Sequence, residues 1–393
     1  MSLEYMIDGQ IRQVIRQKIN EDISFPDRIR IERAELYTFS PRPRATTWKD
    51  GTGKVQRTWQ FPMMVRVWDQ DGYCGEGTAS PDLWNNFLPF MMGIEEAHTN
   101  VEWRKLLYWK ERGGLARCIG EVEQLLFDII AQKHGMPLHK LLGAERDTCD
   151  AYKGGGSVLL SDEQLVDEIL SFKEEGFRAT KFKISICEVD RDVRRLEKVR
   201  KAVGPDFKIA IDSNQAWDAE ICMEFLRQAH EFNIDFWEEP IVHTQTEEIS
   251  RLVQMMKAEN LYVPLAYGES SGGLRAVHDS YIDAGVEIVQ PNCMGYTIAE
   301  GLRAADHIRS RGARITSGQN HIACVMGSLL QEGEPIEFHR PNIEGKEQYY
   351  AVAPKVGPDG KMHLPDVTGT PVKVDFEKLK ADGLLKDIAY RYR

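Results

Sequence analysis

The sequence predicts an α/β fold, a TIM-like (β/α)7–8 barrel behind a smaller N-terminal α+β domain. Three observations carry that expectation. From about Ala151 onward, short apolar strands alternate with helical patterns, at intervals of roughly 20–30 residues and many times over. Before Ala151 the chain reads strands first and helix afterwards, the order of an α+β unit. The length of 393 residues exceeds one ordinary domain of ~100–200 residues, yet suits a barrel of ~250 with a second unit attached.

In chain order, residues 1–27 are an amphipathic, mixed-charge N-terminal extension ending near Pro26, and residues 28–150 form the α+β domain. Ile29, Ile31, Ala34, Leu36 and Tyr37 alternate roughly as a strand, and Met63–Trp68 is a second. Asp69-Gln70-Asp71-Gly72 is a hairpin signal leading to a third short strand that closes at Gly75-Glu76-Gly77. The polar stretch Ser40–Gln60 between the first two strands reads as a lid or a disordered loop. Ile119, Val122, Leu125, Leu126, Ile129 and Ile130 recur at helical spacing, and Gly135-Met136-Pro137 stops that helix.

Residues 151–345 carry the barrel pattern. Strands are expected at Phe182–Ile184, Lys208–Ile211, Ile234–Trp237, Val263–Ala266, Val286–Val289, Arg314–Thr316 and Ile336–Phe338. Ser161 through Gln164 is a capping box opening the helix before the first of these. An open doubly wound sheet is the alternative. It calls for a Gly-rich phosphate turn after its first strand, and Gly154-Gly155-Gly156 does not have that pattern.

Composition narrows the function. Fifty Lys+Arg against sixty-one Asp+Glu leave a net charge of −11, which disfavours nonspecific binding to nucleic acid or to an anionic membrane surface. No apolar run approaches the ~20 residues that span a bilayer. The N-terminus scatters charges where a secretory signal has an apolar core. The seven cysteines stand singly and read as reduced thiols, so a cytoplasmic location is expected.

Barrel enzymes place their chemistry at the C-terminal ends of the strands. Those ends read Lys181 and Lys183, then Asp212 and Asn214, then Glu238-Glu239-Pro240, then Glu269. An apolar strand ending in an acid is costly unless something binds the charge. Three successive strands delivering one acid each fit a single Mg²⁺, with pairing to lysines or helix N-termini as the alternative. Lys181 and Lys183, one residue apart on a strand, point the same way. A lysine beside a divalent cation suits a base near neutral pH, so metal plus lysine describes abstraction of a proton next to a carboxylate.

Together these stretches resemble the mandelate racemase/muconate lactonizing enzyme family of the enolase superfamily. Glu123–Arg146 is similar to the end of that family's capping domain, and Gly176–Lys183 to its lysine-x-lysine strand. Ile211–Trp217, Trp237–Pro240 and Gly268-Glu269-Ser270 resemble its three metal-ligand strands. The resemblance implies a cap over the barrel mouth, which the C-terminal segment 346–393 returns to complete. It further implies one Mg²⁺ on Asp212, Glu238 (rather than Glu239) and Glu269, Lys183 as the acid/base, and Lys181 tuning it.

The chain departs from the family on strands six and seven. Asn292 stands where racemases of the family carry Asp, and the expected seventh-strand His position holds Thr316 or Ser317. His321 follows a few residues later, either as a replacement acid or as an ordinary loop histidine. One lysine suffices for a syn elimination, so dehydration of an acid sugar is expected. A racemase, epimerase or cycloisomerase on a carboxylate, or a non-catalytic carboxylate-binding barrel, are the alternatives. Glu337 is expected to hydrogen-bond a substrate carboxylate as a protonated acid, or else to be a strut to a basic residue. Arg42, Arg44 and Trp48 fit a mobile cap loop that binds the carboxylate, or a solvated basic loop. Asn214, Asn292 and Tyr152 complete the expected substrate contacts. The partner is then a small carboxylate, with no nucleic acid or membrane, in a homo-oligomer.

Overall fold

The computed structural model describes residues 27–93, 97–98, 116–184, 188–271, 276–291 and 298–393. Nearly all of the expected N-terminal extension, Asn292 and the loop that follows it lie outside the described residues.

Eight parallel stations close into a barrel: Ala151–Gly155, Ala179–Lys183, Lys208–Asp212, Ile234–Glu238, Leu265–Tyr267, Ile288–Val289, Arg314–Gly318 and Ile336–His339. The seventh is split at Thr316. Arg314–Ile315 pairs with the sixth strand, and Ser317–Gly318 pairs with the eighth. The eighth returns to the first, with Phe338 beside Lys153 and His339 beside Gly154, which completes the ring.

Local chemistry explains why these segments take their form. The helix Asp162–Glu175 starts at Ser161, whose side chain accepts from the Gln164 amide while Gln164 reaches back, as the capping box predicts. Such a cap stabilises by about 1 kcal/mol. The outward residues of the strands and the inward stripes of the helices form one apolar layer. Phe182, Ile209, Ile211, Trp237 and Leu265 meet Leu165, Ile169, Leu196, Phe225, Leu226 and Leu252 there. The inward residues Tyr152, Ala210, Phe236, Ala266 and Ile288 fill the barrel itself, so it is a packed plug and not a pore. Polar side chains can therefore converge only above that plug, at the strand ends.

The smaller domain has a four-stranded antiparallel sheet. Ile31–Phe39 lies between Met64–Asp69 and Leu385–Tyr392, and Cys74–Thr78 is the far edge. Leu36 pairs with both Val65 and Ala389, so the two described ends of the chain share one sheet. The helix Ala116–Lys133 covers it, burying Val122, Leu125, Leu126, Ile129 and Ile130. Asp69 Oδ1 accepts from the Asp71 and Tyr73 amides, holding the hairpin turn read from the sequence.

The stretch expected as a lid or a disordered loop forms an antiparallel hairpin, Arg42–Lys49 against Val55–Trp59. Asp50 Oδ1 accepts from the Thr52 amide at 3.0 Å and closes its tip. The strands read as polar because they lean on the barrel mouth rather than on an apolar core. Among the described residues no helix is long and apolar enough to cross a membrane, and Cys74, Cys149, Cys222 and Cys324 form no disulfide there.

Candidate active site

The ladder register sets the site. Lys183 pairs with Asp212, and Asp212 with Glu238, so three neighbouring strands raise these side chains to one level. The fifth strand ends at Tyr267, and Gly268 then turns the chain with φ +137° so that Glu269 reaches the same level. A Cβ at Gly268 would lie 2.6 Å from the Gln290 carbonyl oxygen, so this close approach excludes a side chain. The carboxylates of Asp212, Glu238 and Glu269 offer oxygens within 4.8 Å of one another.

Two lysines and two amides surround them. Lys181 Nζ lies 2.6 Å from Glu238, 3.4 Å from Asp212 and 3.2 Å from Glu337, and Lys183 donates to Asp212. Gln290 donates to Glu238 Oε2 at 2.7 Å, and Gln319 to Glu269 Oε2 at 2.9 Å. Neither glutamine carried a signal in the sequence, because each lies beyond a short strand with no acid or base in its motif.

Charge decides what the cluster is built for. Three buried carboxylates and the half-buried Glu269 face two ammonium groups, a formal charge of −2 that one divalent cation neutralises. Burial raises the Glu238 carboxyl, and burial pushes Glu269 up to about 7 against the pull of both lysines. Burial also opposes charge on Asp212, but Lys183 and Lys181 outweigh it and hold that carboxyl below its ordinary range. Glu238 Oε1 is buried with no hydrogen-bond partner among the described residues. The donor set is all oxygen, so the acidic triad is suited to binding Mg²⁺.

Glu239 is turned away from this cluster. Its backbone sits at φ +39°, and its carboxylate accepts from Gln215 Nε2 at 2.6 Å and from Ser270 Oγ at 2.8 Å. Asn214 and Gln215 also have positive φ, so left-handed backbone collects at the third and fourth strand ends.

The remaining expected residues divide. Tyr152 lies in the floor, its ring 5.6 Å from Phe236, and lines the pocket with Glu269, Gln290 and Glu337. Glu337 points inward, but burial is outweighed by Lys181 and the carboxyl is lowered. It pairs with Lys181 at 3.2 Å, the strut that was the second of its two expected roles. Asn214 Oδ1 accepts from the Gly51 amide at 3.2 Å, which ties the hairpin to the barrel.

Three expectations fail on geometry. Arg42 donates to the carbonyls of Asp382 and Gly383. Arg44 pairs with Glu344 at 2.9 Å and donates to the Pro341 carbonyl at 2.7 Å. Both guanidinium groups are straps, because the hairpin needs fastening where its polar strands have no core. His321 packs on the outward-facing Phe338 at 4.6 Å and on Tyr350 at 5.0 Å, behind the eighth strand. Burial, with Lys153, pushes its imidazole down to about 3. His321 is thus walled off from the acids.

Comparison with known proteins fits this geometry. The family description "Enolase C-terminal domain-like" matches residues 164–379, more than half of the chain. The chain belongs to the enolase superfamily. L-talarate/galactarate dehydratase of Salmonella typhimurium is 32% identical over 279 residues, covering 70% of this chain and 67% of that one. Arabinonate dehydratase of Saccharolobus solfataricus is 32% identical over 339 residues, 79% of this chain and 88% of that one. A solved structure of the Salmonella typhimurium dehydratase, liganded with Mg and L-lyxarohydroxamate, superposes with a TM-score of 0.76 at 22% identity, covering 93% and 95% of the two chains. Cycloisomerases and epimerases of the superfamily are also among the relatives. The mandelate racemase/muconate lactonizing enzyme likeness read from the motifs therefore holds, and Mg²⁺ is the cofactor with which structures of such relatives are liganded.

Proposed function

We propose that this enolase-superfamily protein removes the proton alpha to the carboxylate of an acid sugar and then expels a hydroxyl as water. The single observation carrying this reading is the shared register of Lys183, Asp212 and Glu238 above a packed apolar floor. Asp212, Glu238 and Glu269 would hold Mg²⁺, which when bound offsets the negative charge that builds on the substrate carboxylate.

Lys183 takes the alpha proton at Nζ and, as the ammonium so formed, gives a proton to the hydroxyl leaving from the same face, which departs as water. In the metal-free site burial works against its charge, but Asp212 beside it wins and keeps the ammonium protonated. Its release as a base therefore depends on Asp212 being engaged elsewhere, as a metal ligand. Lys181, held by Glu238, Glu337 and Asp212, stays charged and faces the substrate's carboxylate end. The hairpin over the mouth, pinned where the Lys49 amide meets Ser157 Oγ at 2.8 Å, limits water.

Among the described residues no second base stands at the seventh strand end, where Ser317, Gly318 and Gln319 line the pocket. That favours elimination over inversion at one carbon. The test is proton NMR in D₂O with Mg²⁺ and a panel of acid sugars that includes galactarate and arabinonate. Deuterium uptake with loss of water supports dehydration. Uptake with inversion alone assigns an epimerase, and binding with neither uptake nor turnover assigns a non-catalytic barrel.

A further inference from the structure

We propose that His339 recognises a hydroxyl of the substrate and is a specificity-determining residue for hydroxylated over unsubstituted carboxylates. This rests on the acid-sugar reading above. The residue was not singled out in the sequence, because it follows Glu337 and Phe338 without a motif of its own. The eighth strand alternates, so Glu337 and His339 share the inward face while Phe338 joins the outer apolar layer.

His339 stands between the first strand and the cap hairpin. Its strand partner is Gly154, the first glycine of the run whose purpose the sequence left open. A Cβ there would collide with the Glu337 carboxylate and lie 3.0 Å from His339 Cδ2, so the missing side chain makes room for both groups. Trp48 of the hairpin stands edge-on to the imidazole at 5.5 Å, closing the side toward the cap. Nε2 is buried and has no hydrogen-bond partner among the described residues. A buried ring nitrogen without a partner is costly unless a ligand supplies one.

The chemistry of the missing partner follows from charge. Burial outweighs Glu337, and with Lys183 and Lys181 it pushes the imidazole down to about 4, so the ring is neutral near pH 7. A neutral imidazole has one donor and one acceptor, as a hydroxyl does. A carboxylate only accepts, so it would use the ring's donor and leave its acceptor without a partner. His339 therefore complements the polyhydroxylated part of an acid sugar, while Lys181 and Lys183 attend the carboxylate end.

Calorimetry with Mg²⁺ present tests this with two matched pairs, galactarate against adipate and arabinonate against pentanoate. The members of each pair differ only in their hydroxyls. The wild type should prefer the hydroxylated member. His339→Ala should cut that preference about 10–100-fold while leaving Mg²⁺ affinity and binding of the unsubstituted acid within about twofold. His339→Asn, which keeps a donor and an acceptor, should restore part of it. An unchanged preference in His339→Ala overturns the proposal, as does equal weakening of both members of a pair. A wild type that binds none of the four overturns the acid-sugar reading as well, and the wild-type measurement alone distinguishes that case.

Discussion

Asp212, Glu238 and Glu269 repel one another in the metal-free protein, so their removal should act oppositely on stability and on metal binding. Asp212→Asn, Glu238→Gln or Glu269→Gln should each weaken Mg²⁺ binding by calorimetry and abolish turnover, while the metal-free melting temperature holds or rises. A large fall in that temperature would make these acids structural struts. The pH dependence has a definite sign. Folding raises Glu269 from 4.5 to about 7, so its favourable contribution is complete below about 4.5 and is lost as pH climbs through about 7. Mg²⁺ must displace the same proton. Its affinity should therefore rise with pH as the Glu269 and Glu238 protons are lost, and a flat profile from pH 5 to 8 would show that neither carboxyl is held protonated in the metal-free site. At this scale, legibility followed motif density. Acids and lysines at strand ends stand out in a sequence, whereas Gln290, Gln319 and His339 become visible only when the closed ring brings distant strands together.

The hairpin Arg42–Trp59 is the element that makes the mouth a site. Arg44 reaches across nearly the full chain to Glu344 and Pro341, its side chain only 3% exposed, so the contact is screened little by solvent. Arg44→Ala should cost about 1–3 kcal/mol of local stability and free the hairpin. Limited proteolysis should then cut near Gly51–Gly53, and the substrate KM should rise more than kcat falls. Unchanged protease resistance would mean that the ties from Lys49 to Ser157 and from Gly51 to Asn214 hold it alone. Periodicity located seven of the eight barrel strands to within a few residues, since their outward residues must be apolar, and passed over the first, Ala151–Gly155, whose glycines carry no such signal. It missed the hairpin, because a strand resting on a polar rim has no apolar alternation to read. The same blindness made its arginines look like substrate ligands.

Taken whole, the molecule is a packed barrel whose acids and lysines gather at one end, under a cap built from residues far apart in the chain. The superfamily was legible because Lys181-Phe182-Lys183, Asp212, Glu238-Glu239-Pro240 and Gly268-Glu269 occur in order at barrel intervals. The reaction was less legible, because it depends on what faces the lysine, and that wall is assembled from the sixth, seventh and eighth strands. Lys183 is the residue proposed to perform the Mg²⁺-dependent alpha-proton abstraction. The most direct measurement of that step is the rate of deuterium exchange at that carbon, for wild type, Lys183→Ala and Lys183→Arg, on an acid sugar that the wild type accepts. Both variants should lose exchange by about 10²–10⁴-fold, since alanine has no base and guanidinium stays protonated. Mg²⁺ affinity should hold or rise in Lys183→Ala, because the ammonium beside Asp212 is gone. Near-normal exchange in Lys183→Ala, with Mg²⁺ still required, would contradict the claim and put the base on another strand.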